Sequence, residues 1–171
     1  MISRGMKFRF AILALAFFAF GCASAPTASR IDYKPEKDAR RSVALLYDPT
    51  PFKRELVDGV AKMLRAQGVS VVTDDLRFAE MHPPGNYDLV VLAATVQFMR
   101  AGSKAVRYLK GHKKAKNILL VSTSGRGNLS GVETYSGKFE PPDCLTGASE
   151  QDSMAALAER IAKRIMQRLE E

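Results

Sequence analysis

The chain has 171 residues, a net charge of +8, 46% hydrophobic and 26% charged residues, 12 glycines and 8 prolines. That length predicts one folded domain, and the composition excludes a disordered, collagenous or repeat-built chain. Two cysteines and two widely separated histidines exclude a disulfide scaffold and a four-thiolate zinc site. Arg4, Lys7 and Arg9 supply +3 of the charge, and the remaining +5 describes a mildly basic domain rather than a nucleic-acid-binding stripe.

Residues 1–21 read as a signal peptide: three cations precede an apolar run at 10–20. As a helix that run reaches only about 17 Å, too short for a hydrocarbon core of about 30 Å. Ala19-Phe20-Gly21-Cys22 follows and resembles the bacterial lipobox, whose cysteine is acylated and becomes the new N-terminus. The resemblance implies lipidation of Cys22, palmitate included, and a membrane anchor on the extracytoplasmic or periplasmic face of a bacterial envelope. With Ala23 after the cysteine, it implies the outer membrane where one is present. Ordinary cleavage near Ala25 is the alternative. Residues 22–41 then form the lipidated cysteine and a polar tether without apolar period, and residues 42–171 the domain.

From Ser42 the pattern alternates. Residues 43–47 predict a buried strand. Thr50-Pro51 supplies an N-cap and a proline at the first helical position. Phe52, Leu56, Val60, Met63 and Leu64 share one face of the helix that follows, which Gly68 ends. Strands are predicted at 69–73, 87–94 and 117–122, a loop at 82–86, and helices at 103–114 and about 150–169. Strands rich in Val, Leu and Ile alternating with helices predict an α/β fold: an open parallel sheet of four to five strands with helices on both faces. Right-handed crossovers place every strand-to-helix loop on one rim, where ligands of such sheets bind.

The first rim loop is Asp48-Pro49-Thr50-Pro51-Phe52-Lys53. It ends at a helix N-terminus, which attracts anions, and Lys53 and Arg54 stand where the helix dipole disfavours cations unless an anion is bound. Thr50 and Lys53 are therefore candidate phosphate contacts. The alternative is a solvated turn that only caps its helix, since Pro49 and Pro51 donate no N–H. The second loop, Thr95-Val96-Gln97-Phe98-Met99, follows the strand Tyr87-Asp88-Leu89-Val90-Val91, and the third is Ser122-Thr123-Ser124-Gly125.

Residues 87–109, with that third loop, resemble the flavodoxin family, in which a YDxVV-type strand leads into a loop of small hydroxyl residues and an aromatic. The resemblance spans about 42–125 and implies a flavodoxin-like fold that binds FMN. Phe98 or Met99 would line the ring, Val96, Gln97 and Gly125 would flank it, and Thr95, Thr123 and Ser124 would donate to its polar edge. The chain departs from the family at the first loop, which lacks the Ser/Thr-rich, glycine-containing phosphate cradle.

Asp143-Cys144-Leu145-Thr146-Gly147-Ala148-Ser149 resembles the D-x-x-[ST]-G-A-[ST] sequence that bacterial flavin transferases modify, joining FMN through its phosphate to the last hydroxyl. That resemblance implies covalent FMN at Ser149, with Asp143, Thr146 and Gly147 as the recognised positions and a serine where threonine is usual. Gly147 and Ala148 would leave the backbone accessible, and Ser149 would stand at the N-terminus of the closing helix. Ser149-x-x-Asp152 also reads as a variant capping box.

No Ser-His-Asp, Cys-His or paired-carboxylate constellation is legible, and no catalytic or metal-binding residue is assigned. His82 and His112 read as solvent-facing. Cys144 reads as a buried inert thiol or one that pairs intermolecularly. The cluster from Lys104 to Lys116 reads as a solvated face, or as a contact for anionic lipid or an acidic partner. Together these readings describe an extracytoplasmic, membrane-anchored flavodoxin-like protein. It would bind FMN for electron transfer between redox partner proteins rather than turn over a substrate of its own. The alternatives are a scaffold that has lost its flavin and serves as a non-catalytic envelope binding module, and a nicotinamide-dependent flavin reductase.

Overall fold

A computed structural model describes residues 30–33, 40–97, 100–125, 144–148 and 153–171. The parallel strands are β2 (Arg41–Tyr47), β3 (Val69–Asp75), β4 (Leu89–Gln97), β6 (Ile118–Ser124) and β7 (Cys144–Ala148). Two short antiparallel strands complete the sheet: β1 (Ile31–Tyr33) against β3, and β5 (Arg100–Ala101) folded back on the end of β4. The order is β1-β3-β2-β4-β6-β7. Taking the parallel strands in chain sequence, this is 2-1-3-4-5, the flavodoxin-like order, whose direction reverses between β2 and β4.

Helices cover both faces. α1 (Pro51–Ala66) and α3 (Met154–Glu170) pack on one, where Val43, Leu45, Val91 and Val121 meet Leu56, Val60, Leu157 and Ile161. α2 (Ser103–Gly111) and a 3-10 turn at Leu76–Met81 cover the other, where Ala44, Leu46, Leu92 and Leu120 meet Leu76, Tyr108 and Leu109. Successive residues of β2 and β4 serve opposite cores, which is why these strands are apolar throughout. Truncating any of these buried leucines to alanine removes about 2–5 kcal/mol.

Local chemistry sets the helix ends. Thr50 Oγ1 accepts the Lys53 N–H at 3.2 Å and Pro51 opens α1. Gly68 stands at φ +80°, where a Cβ would be strained. α3 starts later than the sequence suggests: the Ser153 hydroxyl, accepting from Ala156 N–H, caps it, four positions beyond Ser149. α2 ends at Gly111 and the chain turns at His112, short of the predicted 114. β3 runs on through Asp74 and Asp75, both buried, because hydrogen bonds take up their carboxylates.

Within the segment read as tether, Ile31–Tyr33 pairs with β3, Ile31 opposite Thr73, and the Thr73 hydroxyl donates to the Ile31 carbonyl at 3.4 Å. Three residues are too few to show a period of two. Among the described residues, no helix is long and apolar enough to cross a membrane. The signal segment and Cys22 lie outside the described residues.

Candidate functional site

The rim at the β2/β4 reversal is tied shut from within. Asp48, just past β2, accepts the Thr95 N–H on Oδ2 at 2.9 Å, and its own N–H donates to the Ala93 carbonyl at 3.3 Å. Lys53 turns inward from the first turn of α1. It is 1% exposed, and its Nζ donates to the Ala93 carbonyl at 3.2 Å and to Thr95 Oγ1 at 3.4 Å. Burial pushes the Lys53 ammonium down to about 8, against the upward pull of the Asp48 carboxylate. Gly102 closes in beside the same carboxylate, its virtual Cβ 3.6 Å from Asp48 Oδ2.

Strand register aligns the remaining candidates. Thr95 stands opposite Thr123, and Thr123 opposite Gly147. One residue further on, Ser124 stands opposite Ala148. Thr123 is buried and Ser124 half-buried. Thr95, Val96 and Gly125 are likewise half-buried, and Thr50 is exposed with its hydroxyl on Lys53 N–H. Thr146 is exposed, and its carbonyl accepts from Arg160 at 3.0 Å. Gly147 is buried under α3: a Cβ there would sit 2.7 Å from Leu157 Cδ1. Its bare backbone thus admits Leu157 rather than standing open to a ligand. Gln97 is placed by its backbone at the β4–β5 pairing. Phe98, Met99, Asp143 and Ser149 lie outside the described residues.

The first loop does not fit the phosphate of a dissociable FMN. Thr50 is spent as a cap, Lys53 is buried on β4, two prolines donate nothing, and Asp48 presents a carboxylate to the amide an anion would need.

Three further features escaped the sequence. His82 is not solvent-facing: it is 1% exposed, with Nε2 2.9 Å from Asp74 Oδ2 and Nδ1 2.8 Å from the Tyr87 hydroxyl. Tyr108 donates to the His82 carbonyl at 2.5 Å. His112 is half-buried against the Tyr108 ring, centroids 4.5 Å apart. Cys144 is exposed rather than buried, with Sγ 3.9 Å from Ser122 Oγ. The histidine in the loop of prolines and the adjacent Asp74-Asp75 pair were the available signals, but nothing in the sequence pairs them. A cavity of about 410 Å³ lies away from the reversal, between α1 and the β1/β3 edge, lined by Tyr47, Arg54, Glu55 and Thr73 among others. Burial raises the Tyr47 phenol there, with Arg54 pulling the other way.

No protein-family model and no curated protein matches this sequence. Solved structures do. A flavodoxin from the domain Archaea superposes with a TM-score of 0.55 at 6% identity, covering 76% of this chain and 99% of that one. An oxidoreductase from Corynebacterium diphtheriae gives 0.50 at 14%, covering 78% and 97%. A flavo di-iron protein from Thermotoga maritima gives 0.55 at 14%, covering 80% of this chain and 37% of that one. At these identities the likeness is one of architecture, and with the strand order above it establishes that the chain has a flavodoxin-like α/β fold.

Proposed function

We propose that this chain is an extracytoplasmic flavodoxin-like electron carrier, anchored through a lipid on Cys22 and holding FMN by a phosphoester to Ser149. The observation that carries the reading is the placement of β7. Its Cys144–Ala148 run lies parallel beside β6, with Gly147 opposite Thr123 and Ala148 opposite Ser124. The segment resembling the flavin-attachment sequence therefore leaves the sheet on the rim that carries Thr95 and Ser124. A covalent phosphate needs no cradle, which agrees with a first loop filled by Asp48 and Lys53. FMN, when bound, supplies one- and two-electron transfer through its ring, and the chain supplies position and environment.

A second reading, a flavin-free envelope binding module, is favoured by that same Asp48–Thr95 closure. The mass spectrum of the mature protein from its native envelope separates the two. The first reading expects an acylated Cys22, the mass of FMN less water on Ser149, and yellow absorbance that survives denaturation and is lost in Ser149→Ala. Colourless protein without the adduct overturns it. A melting temperature unmoved by added FMN would then leave the binding module.

A further inference from the structure

We propose that the cationic face of α2 and the turn after it docks on an anionic phospholipid surface and so orients the domain on its membrane. The orientation rests on the Cys22 anchor proposed above. Between Lys104 and Lys116 the chain carries six cations and no carboxylate. α2 buries Ala105, Tyr108 and Leu109, which leaves Arg107, Lys110, Lys113, Lys114 and Lys116 exposed. Lys110, Lys113 and Lys114 line a groove of about 520 Å³ whose other wall is Pro83, Pro84 and Gly85. Arg168 of α3 adds a further guanidinium, donating to the Lys116 carbonyl at 2.7 Å. Facing carboxylates are few: Glu80 lies 3.9 Å from His112 Nε2, and Glu171 pairs with Arg168.

Cations in a last helical turn complement the helix dipole, but these run from Lys104, in the first turn, to five residues beyond the helix. The opposite face differs. On α1 Lys62 pairs with Asp58, and on α3 Glu159 and Glu170 flank Arg160, Lys163, Arg164 and Arg168. The stretch from Lys104 to Lys116 carries cations without a carboxylate of its own, with Glu80 beside His112.

The point where the chain joins the fold selects the partner. Ile31 lines the cavity beside α1, so its neighbours Arg30 and Asp32 face the other side of the sheet, and their charges act on the Tyr87 phenol. Tyr87 packs on the α2-side core. The described start of the chain therefore turns Arg30 and Asp32 to the α2 side of the sheet. Cys22 to Ser29 is eight residues, a reach of at most about 28 Å, and a leaflet rich in anionic lipid attracts such a surface within a Debye length of about 8 Å.

The test uses the full chain with vesicles of phosphatidylcholine alone or mixed with phosphatidylglycerol, labelled by an amine-reactive reagent and read by peptide mass. The expected result is several-fold slower labelling of Lys110, Lys113 and Lys114 on the anionic vesicles, reversed by high salt, with Lys62 and Lys163 unchanged. The triple variant Lys110→Glu, Lys113→Glu, Lys114→Glu should label its remaining lysines equally on both membranes. Equal labelling of the wild type on both vesicles overturns the proposal, as does protection by free inorganic phosphate or an acidic protein alone. Flotation reports the anchor separately. A chain that floats only with anionic vesicles, and no longer in the triple variant, refutes the anchor and keeps the docking face; one that floats with neither refutes both.

Discussion

The Asp48 carboxylate accepts the Thr95 amide at 2.9 Å and thereby joins the first rim loop to the end of β4 across the reversal in strand order. An internal anion thus meets an N–H at the place where a flavodoxin-like sheet receives ligands. Lys53, buried against Ala93 and Thr95, balances that charge. The crevice is a structural joint, and any cofactor on this rim has to lie over it rather than within it.

Removing the joint should leave a half-buried amide without its partner. Asp48→Ala is expected to destabilise the domain by about 1–3 kcal/mol, read as a lower urea midpoint at unchanged slope. Asp48→Asn keeps an acceptor and should recover part of the loss. Equal midpoints for wild type and Asp48→Ala would show that Thr95 does not depend on this carboxylate.

Lys53 predicts a pH dependence of definite sign. Its ammonium is pushed from 10.5 down to about 8, chiefly by burial. Below about 8 both folded and unfolded chains carry the proton, and the fold bears the full cost of burying it. Above 10.5 neither carries it. The contribution of Lys53 to stability therefore rises with pH between these values, by on the order of 3 kcal/mol. The tyrosines raised by burial, Tyr47, Tyr87 and Tyr108, act oppositely near and above pH 10 but are common to both chains. The stability of wild type minus that of Lys53→Met should increase from pH 8 to 10, and a flat difference refutes the shift.

What the sequence shows depends on how far each cause lies along the chain. Thr50-Pro51 and Gly68 delimit α1 by chemistry within a turn, and the apolar runs of β2 and β4 are set by their own burial on two faces. The parallel sheet was therefore legible. The inward turn of Lys53 is set by β4, the burial of His82 by β3, and the role of Gly147 by Leu157. A cation in a helix's first turn or a histidine ahead of two prolines looks solvated until its partner is located. Ile31–Tyr33 stayed hidden for a different reason, since its place in the sheet is set by pairing with the edge of β3.

The Asp74–His82–Tyr87 chain fixes the connection from β3 to β4. His82 is the shared member, bonded on both ring nitrogens in a buried site. His82→Ala should cost about 2–4 kcal/mol, because it opens a cavity and takes the partner from Asp74 Oδ2 while Oδ1 keeps the Asp75 N–H. Tyr87→Phe removes one hydrogen bond and should cost about 1 kcal/mol. Amide exchange supplies the second readout: protection of residues 76–88 should fall in His82→Ala before that of β2 or β4. Uniform loss across the sheet would show that the connection has no separate stability.

Gly147 and Leu157 predict a coupling between β7 and α3. A Cβ at Gly147 would approach Leu157 Cδ1 to 2.7 Å and Cδ2 to 3.1 Å, and Leu157, 1% exposed, has little room to rotate away. Gly147→Ala should therefore cost about 1–3 kcal/mol by overpacking, and Leu157→Ala about 2–5 kcal/mol by cavity formation. In the double variant the new methyl occupies space that Leu157 has vacated, so the combined loss should fall below the sum by 1 kcal/mol or more, a magnitude of about that size being usual for residues in contact. Strict additivity would mean that β7 can move off α3 freely. The glycine in the Thr-Gly-Ala segment would then owe nothing to packing, and its place in the sequence would need a cause in whatever recognises that segment from outside.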